Sequence, residues 1–176
     1  MEASQNPRRI LVVGDAGRGK TTFASALAKK LGVNHYSTDD FYFEKKFSVP
    51  RDRDLSVTMI EDEVYSQPNG WIVDGTTKHL IRGALEKCDT IYLLAFENIL
   101  HQYFSLINRS IKRRFGDGPK ESLGEAFGML KHVTKKRYDT TYSSHVSHLH
   151  KLLEPYKHKI VKVSSFKQIN SILNSL

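Results

Sequence analysis

Short apolar runs of strand length alternate along the chain with stretches whose apolar residues recur three or four positions apart. Such runs form buried parallel strands, and the periodic stretches are typical of helices that cover them. The predicted strands lie at about 9–13, 33–38, 71–75, 90–96 and 159–163. This alternation predicts a three-layer α/β/α fold, in which a five-stranded parallel sheet carries helices on both faces.

Helix signals fill the intervals between these runs. In the first helix, predicted from Lys20 to about Leu31, Phe23 and Leu27 recur at helical spacing and Gly32 supplies a stop. Ser165, with Gln168 three residues on, is typical of a capped helix start. The other predicted helices lie at about 55–64, 80–88, 99–111 and 122–156, the last with a break near 139–144.

The loop between the first strand and the first helix fits the pattern G-x-x-x-x-G-K-[ST]. Glycines let the backbone N–H groups approach phosphate oxygens, and the helix adds its positive end. Lys20 can reach the β- and γ-phosphates of a nucleotide, and the Thr21 hydroxyl can ligate Mg²⁺. The residues expected to contact the nucleotide are Gly14, Asp15, Ala16, Gly17, Arg18, Gly19, Lys20, Thr21 and Thr22.

Right-handed crossovers bring the carboxyl ends of parallel strands to one edge of the sheet. Asp39, Asp74 and the segment after Phe96 each follow a predicted strand, as the phosphate loop does. We therefore expect these four features to converge on one site.

Length and charge narrow the class of protein. The 176 residues suit a single domain, 1–176, and the sequence predicts neither a targeting segment nor a membrane span, which indicates a cytoplasmic protein. The single cysteine, Cys88, is expected to be a small buried hydrophobe. A net charge of +8, from 27 Lys and Arg against 19 Asp and Glu, suits a phosphorylated ligand or nucleic acid.

With these features in place, the chain resembles the P-loop kinases of small molecules, which include adenylate, uridine, nicotinamide riboside and shikimate kinases. Three stretches carry the resemblance: GDAGRGKTT at 14–22, STDDFY at 37–42 and WIVDG at 71–75. The second is similar to the D-x-F-Y motif of uridine and nicotinamide riboside kinases. The third resembles a strand of nucleotide kinases and of the small, adenylate-kinase-like DNA topology modulation proteins, whose length and motif order the chain shares.

The resemblance implies an ATP-dependent, Mg²⁺-using kinase that phosphorylates a hydroxyl or phosphate of a nucleoside, nucleotide or related metabolite, as a monomer or homodimer. In the related enzymes, the acid at the position of Asp39 contacts the acceptor hydroxyl, and a small helical lid, here at about 109–137, contributes arginines such as Arg109 and Arg113. Adenylate kinases follow their Asp-Gly with aromatic, proline and arginine residues. Here Thr76, Thr77 and Lys78 follow, which argues against AMP as the acceptor.

The expected catalytic residues are Lys20, Asp39, Arg109 and Arg113, and the expected metal residues are Thr21 and Asp74. Asp39 would orient or deprotonate the attacking hydroxyl, and Asp74 would hold Mg²⁺ through water. Structural roles stay open: Asp39 as a helix N-cap, Asp74 as a turn residue and Arg109 as a helix-end charge.

A second class of function also stays open, a P-loop ATPase or a regulator that binds nucleic acid. The basic charge favours it. A hydrolytic ATPase often has a second acid beside its metal-side Asp, whereas Gly75 follows Asp74, and no established DNA-binding motif is visible. Nucleic acid is therefore a possible partner that the sequence does not favour.

Overall fold

The computed structural model describes residues 8–44, 49–96, 107, 123–139 and 146–176. Within them the chain forms a parallel sheet with the strand order β2-β3-β1-β4-β5. The strands are β1 (Arg8–Gly14), β2 (Asn34–Ser37), β3 (Gly70–Asp74), β4 (Thr90–Leu94) and β5 (Ile160–Val163). All five therefore end at the same edge of the sheet, as predicted.

Helices connect the strands at the predicted intervals, and a further short helix that the pattern did not predict follows β2. Those in the described ranges are α1 (Lys20–Leu31), α2 (Thr38–Tyr42), α3 (Arg53–Ile60), α4 (Lys78–Lys87), α5 (Leu123–Tyr138), α6 (Val146–Leu153) and α7 (Phe166–Asn174). A π-helical turn, Glu61–Tyr65, continues α3, and a 3₁₀ segment, Glu154–Lys159, continues α6. The predicted stop of α1 is confirmed, because Gly32 takes the left-handed conformation and its N–H donates to the Ala28 carbonyl.

The central strand β1 is buried on both faces, because its apolar side chains alternate between two hydrophobic clusters. Leu11 and Val13 pack on the side covered by α3, α4 and α6, and Ile10 and Val12 pack on the side covered by α1 and α7. Cys88 is buried in the first cluster, as expected. The three-layer P-loop fold with a five-stranded parallel sheet is thus confirmed.

Three elements differ from their predicted form. The second strand ends at Ser37 because its hydroxyl accepts a hydrogen bond from the N–H of Asp39 and starts α2. The predicted strand over 90–96 ends at Leu94. The predicted helix over 55–64 begins earlier, at Arg53, and widens into the π-helical turn, from which the Tyr65 hydroxyl donates to the Leu80 carbonyl at 2.8 Å.

The predicted helix over 99–111 lies outside the described residues, apart from residue 107. Of the predicted lid, about 109–137, the described part is the helix α5. The predicted helix over 122–156 is divided: α5 ends at Tyr138, and α6 begins at Val146. Among the described residues, no helix has the length and apolar character needed to cross a membrane.

Candidate functional site

The phosphate loop joins the end of β1 to the start of α1. Gly17 and Gly19 take the left-handed conformation, with φ of 74° and 78°. Gly19 is the N-cap of α1 and has no side chain to satisfy the first N–H groups of that helix, whose first turn contains no acidic residue. These N–H groups and the positive end of the helix are therefore suited to an anionic ligand.

The side chain of Lys20 folds back over the same loop. Its ammonium nitrogen, Nζ, donates a hydrogen bond to the carbonyl oxygen of Asp15 at 2.9 Å. This contact places a positive charge beside the N–H groups at the start of α1. The loop thus combines the two features that phosphate binding requires, main-chain donors and a lysine.

The expected metal residues, Thr21 and Asp74, lie in direct contact. The Thr21 hydroxyl oxygen, Oγ1, is 2.9 Å from Oδ2 of Asp74, the last residue of β3. The second carboxylate oxygen, Oδ1, is 2.7 Å from Nε2 of His35 on β2. Asp74 is only 3% exposed. An ionised carboxylate only accepts hydrogen bonds, so both Thr21 and His35 act as donors.

This arrangement fits Mg²⁺, a cation that prefers oxygen ligands and keeps part of its water shell. The hydroxyl of Thr21 and the carboxylate of Asp74 are oxygen donors beside the phosphate loop. Within the described part of the chain, no group of three or more His, Cys, Asp or Glu residues could hold a metal ion. A bound Mg²⁺ would therefore depend on phosphate and water oxygens for the rest of its ligands.

Asp39 lies one strand away, in the first turn of α2. In the register of β2 and β3, Ser37 is the partner of Asp74, so Asp39 follows that partner by two residues. The N-cap of α2 is Ser37, and the alternative that Asp39 caps this helix is therefore wrong. The structure brings Asp39 to the same sheet edge as the phosphate loop and Asp74.

The start of α2 approaches the end of β3 so closely that only glycine fits between them. A Cβ atom on Gly75 would lie 1.7 Å from Oγ1 of the buried Thr38, and Gly75 has a φ of +146°. The Asp74-Gly75 pair thus positions an acid and also admits the helix that carries Asp39. The sequence pattern indicated a strand ending in Asp-Gly but not this contact.

Beyond Asp39, polar and aromatic side chains connect α2 to the loop before α3 and to α4. Nη1 of Arg51 donates to the carbonyl of Phe41 at 2.6 Å, so this arginine fastens the following loop to α2. The ring of Tyr42 lies 5.9 Å from the ring of His79. Burial, with the positive charge of Arg53, lowers the pKa of His79.

On the other side of the phosphate loop, two phenylalanines pack edge to face. Phe96 follows β4 and lies 4.9 Å from Phe166, the first residue of α7, between ring centroids. The guanidinium of Arg18, which is buried, stacks over Phe96 at 5.5 Å. Phe166 is 49% exposed and would lie 3.8 Å from a Cβ atom on Gly19. An exposed aromatic surface therefore adjoins the loop.

Comparisons with known proteins give a match in sequence over part of the chain. No protein-family model matches it. It is 33% identical to an adenylate kinase of Haloarcula marismortui in an alignment that covers 43% of this chain and 43% of that protein. The match supports a P-loop kinase-like protein. The chain thus spans less than half of the length of this curated relative.

The fold was also compared with a solved structure, a gluconokinase from Sinorhizobium meliloti 1021. The superposition covers 96% of this chain and 89% of the gluconokinase chain, with a TM-score of 0.48 and 14% sequence identity. The similarity of residues 37–42 to the D-x-F-Y motif stays a prediction, as does the resemblance to DNA topology modulation proteins.

The sequence did not indicate every residue that the structure brings to this edge. His35 sits in a short strand, and its pattern gives no sign that its ring reaches Asp74; Phe166 was assigned only as part of a helix. Arg109 and Arg113, the expected lid residues, lie outside the described residues. The structure therefore brings Thr21 of the phosphate loop into contact with Asp74 and places Asp39 at the same edge of the sheet.

Proposed function

We propose that this protein is an ATP-dependent kinase that transfers the γ-phosphoryl group to a hydroxyl or phosphate of a small molecule, such as a nucleoside, a nucleotide or a related metabolite. The observation that carries the proposal is the 2.9 Å hydrogen bond between Thr21 and the buried carboxylate of Asp74. It joins the phosphate loop to an acid on the neighbouring strand. Partial similarity to an adenylate kinase supports the same class of reaction.

On the donor side, each group has a task that follows from its charge. The N–H groups at the start of α1 and the ammonium of Lys20 would hold and neutralise the phosphates. Thr21 and Asp74 would hold Mg²⁺, which when bound neutralises charge on the β- and γ-phosphates. The exposed ring of Phe166, beside Gly19, offers an apolar surface to the nucleoside part.

On the acceptor side, Asp39 would orient the attacking hydroxyl and accept its proton. The acceptor oxygen forms a bond to the γ-phosphorus while the bond from that phosphorus to the bridging oxygen breaks, and ADP leaves. Arg109 and Arg113 are the proposed lid residues that stabilise the charge on the transferred group. Phosphoryl transfer needs mainly this positioning and charge neutralisation, which the residue types supply.

A screen of acceptors tests the proposal against the ATPase alternative. The purified protein is incubated with Mg²⁺-ATP and single nucleosides, nucleoside monophosphates or sugar-like alcohols, and ADP release is measured together with phosphorylated product. We expect ADP release that depends on one acceptor class and equals product formed. Release without any acceptor, or release that depends on added DNA, would instead support a hydrolytic or nucleic-acid-linked ATPase.

The substitution Asp39→Asn tests the acceptor side directly. Loss of the proton-accepting group should lower kcat by about 10²- to 10⁴-fold, while the Kd for ATP should stay within about twofold, because Asp39 does not belong to the phosphate loop. The matched control is Asp40→Asn, which removes the same charge from the neighbouring exposed residue. Turnover like that of the wild type in the Asp39 variant would remove this residue from the catalytic role.

A further inference from the structure

His35 contacts Asp74, the acid expected to hold Mg²⁺. It does so from β2, a strand that carries none of the residues expected to bind the nucleotide or the metal. It lies in the middle of β2, and its side chain is 19% exposed. The 2.7 Å separation of Nε2 from Oδ1 of Asp74 is short for a hydrogen bond between nitrogen and oxygen. A donor to an ionised acceptor gives the shorter and stronger class of hydrogen bond.

The two donors on Asp74 act on different atoms. The Thr21 hydroxyl donates to Oδ2, and Nε2 of His35 donates to Oδ1. With a partner on each oxygen, rotation of the carboxylate about its bond to Cβ would break at least one of these hydrogen bonds. The side chain of Asp74 is 4% exposed, so water has little access to replace a lost partner. The pair of donors therefore fixes the plane of the carboxylate beside the phosphate loop.

Strand pairing does not require this contact. The main chains of β2 and β3 already pair from Asn34 and Trp71 to Ser37 and Asp74. His35 itself is the register partner of Ile72, two residues before Asp74, so its ring reaches along the sheet toward the carboxyl edge. The contact is therefore not needed to pair the two strands, and its effect is to orient the buried carboxylate of Asp74.

We propose that His35 is a positioning residue for Mg²⁺ binding, acting through Asp74. This inference rests on the proposed function, because it assumes that Thr21 and Asp74 hold Mg²⁺ with a bound nucleotide. Donors that orient a metal-binding carboxylate commonly alter metal affinity by 10- to 100-fold when they are removed. His35 lies on β2, the strand that leads into the helix carrying Asp39. Its hydrogen bond therefore links Asp74, the proposed Mg²⁺-binding acid, to the strand that precedes the proposed acceptor-binding acid.

Two substitutions separate orientation from packing. His35→Phe keeps a planar ring of similar size but has no N–H donor. His35→Gln has a side-chain amide N–H that can reach the position of Nε2. A matched control is His158→Phe, at an exposed residue of the 3₁₀ segment that precedes β5 and so lies toward the amino edge of the sheet.

Calorimetry measures the binding of a non-hydrolysable ATP analogue in EDTA and in Mg²⁺, and urea unfolding checks the stability of each variant. For the wild type we expect Mg²⁺ to tighten binding. In His35→Phe this gain should fall by about 10- to 100-fold, with the Kd in EDTA unchanged. His35→Gln should recover most of the gain, and His158→Phe should match the wild type.

Each contrary outcome has one meaning. A wild type that binds the analogue equally with and without Mg²⁺ would contradict the proposed function itself. A wild type with a clear Mg²⁺ gain that His35→Phe retains would overturn the role of His35 alone. Equal weakening of His35→Phe in EDTA and in Mg²⁺ would indicate a packing role and overturn the proposal, as would a folded His35→Gln that behaves like His35→Phe.

Discussion

The phosphate loop extends from β1, the central strand of the sheet, which is buried from Ile10 to Gly14. Asp39 extends from β2, a four-residue strand at the edge of the sheet, with no fully buried residue. On the donor side, one continuous stretch from β1 into α1 supplies the loop, its lysine and its threonine. On the acceptor side, Asp39 lies on a five-residue helix followed by a long connection to α3.

This difference separates two ways of fixing a functional group. The donor side is fixed by a buried strand and a twelve-residue helix whose apolar face lies in the core. The acceptor side is fixed by one buried side chain, Phe41, and by individual contacts: the cap from Ser37, the hydrogen bonds from Arg51 and the close approach of Thr38 to Gly75. We therefore expect substitutions in the phosphate loop to remove the reaction, and substitutions of the contacts that hold α2 in place to alter stability and acceptor choice.

The largest effect should come from Lys20→Ala. Removal of its ammonium takes away a charge that the proposed transition state needs, so phosphoryl transfer should fall by about 10³-fold or more. Product formation at saturating acceptor measures this loss. Lys30→Ala, which removes an exposed lysine from the last turn of the same helix, is the control and should keep normal activity. Transfer within tenfold of the wild type in Lys20→Ala would contradict the role of the loop.

The next effect concerns the contact that joins the two sides, at Gly75. A Cβ atom there would overlap Thr38 and require a φ of +146°, so Gly75→Ala should lower the free energy of unfolding by about 2–4 kcal/mol. Urea unfolding with an unchanged m-value measures it. The control is Gly128→Ala in α5, where an added Cβ would meet no described residue within 4 Å beyond its own helix backbone and chain neighbours, and there we expect a gain of up to about 1 kcal/mol. Equal stabilities for the two variants would show that α2 does not depend on this approach.

The same contrast explains how far the sequence alone could predict the structure. The fold and the donor side follow from local patterns: an apolar run before GDAGRGKTT, helical spacing of Phe23 and Leu27, and a glycine stop. These signals lie within a few residues of each other. They predict a buried first strand, and β1 is buried from Ile10 to Gly14. Because the carboxyl ends of parallel strands share one edge of the sheet, the sequence also predicted that Asp39 and Asp74 lie at the edge where the phosphate loop lies.

Contacts between distant residues could not be predicted in this way. His35 and Asp74 are 39 residues apart, and Thr21 and Asp74 are 53 apart, so their separations depend on strand register and not on local spacing. The short helix at Thr38–Tyr42 was missed because the apolar and acidic residues after β2 favour no single element. It forms because Ser37 caps it and Phe41 is buried in the core.

The smallest effect tests the electrostatics of the acceptor side at His79. Its Nε2 is shielded from solvent and has no hydrogen-bond partner among the described residues, and burial with the charge of Arg53 lowers its pKa. The unfolded chain therefore binds this proton more readily than the folded chain. Stability due to His79 is present above the ordinary histidine pKa of about 6.5 and is lost as the pH falls below it.

We expect the urea midpoint of the wild type to fall more between pH 7.5 and pH 5.5 than that of His79→Gln, which stays neutral at both values. The difference should be small, because His79 is partly exposed and its interaction with Arg53 is screened by solvent. His158→Gln, at an exposed histidine, controls for the loss of a surface imidazole and should keep the response of the wild type. An identical fall in the wild type and His79→Gln would mean that the region beyond Asp39 does not disfavour positive charge. A clear difference would instead show that burial and the charge of Arg53 together disfavour the protonated imidazole at this position.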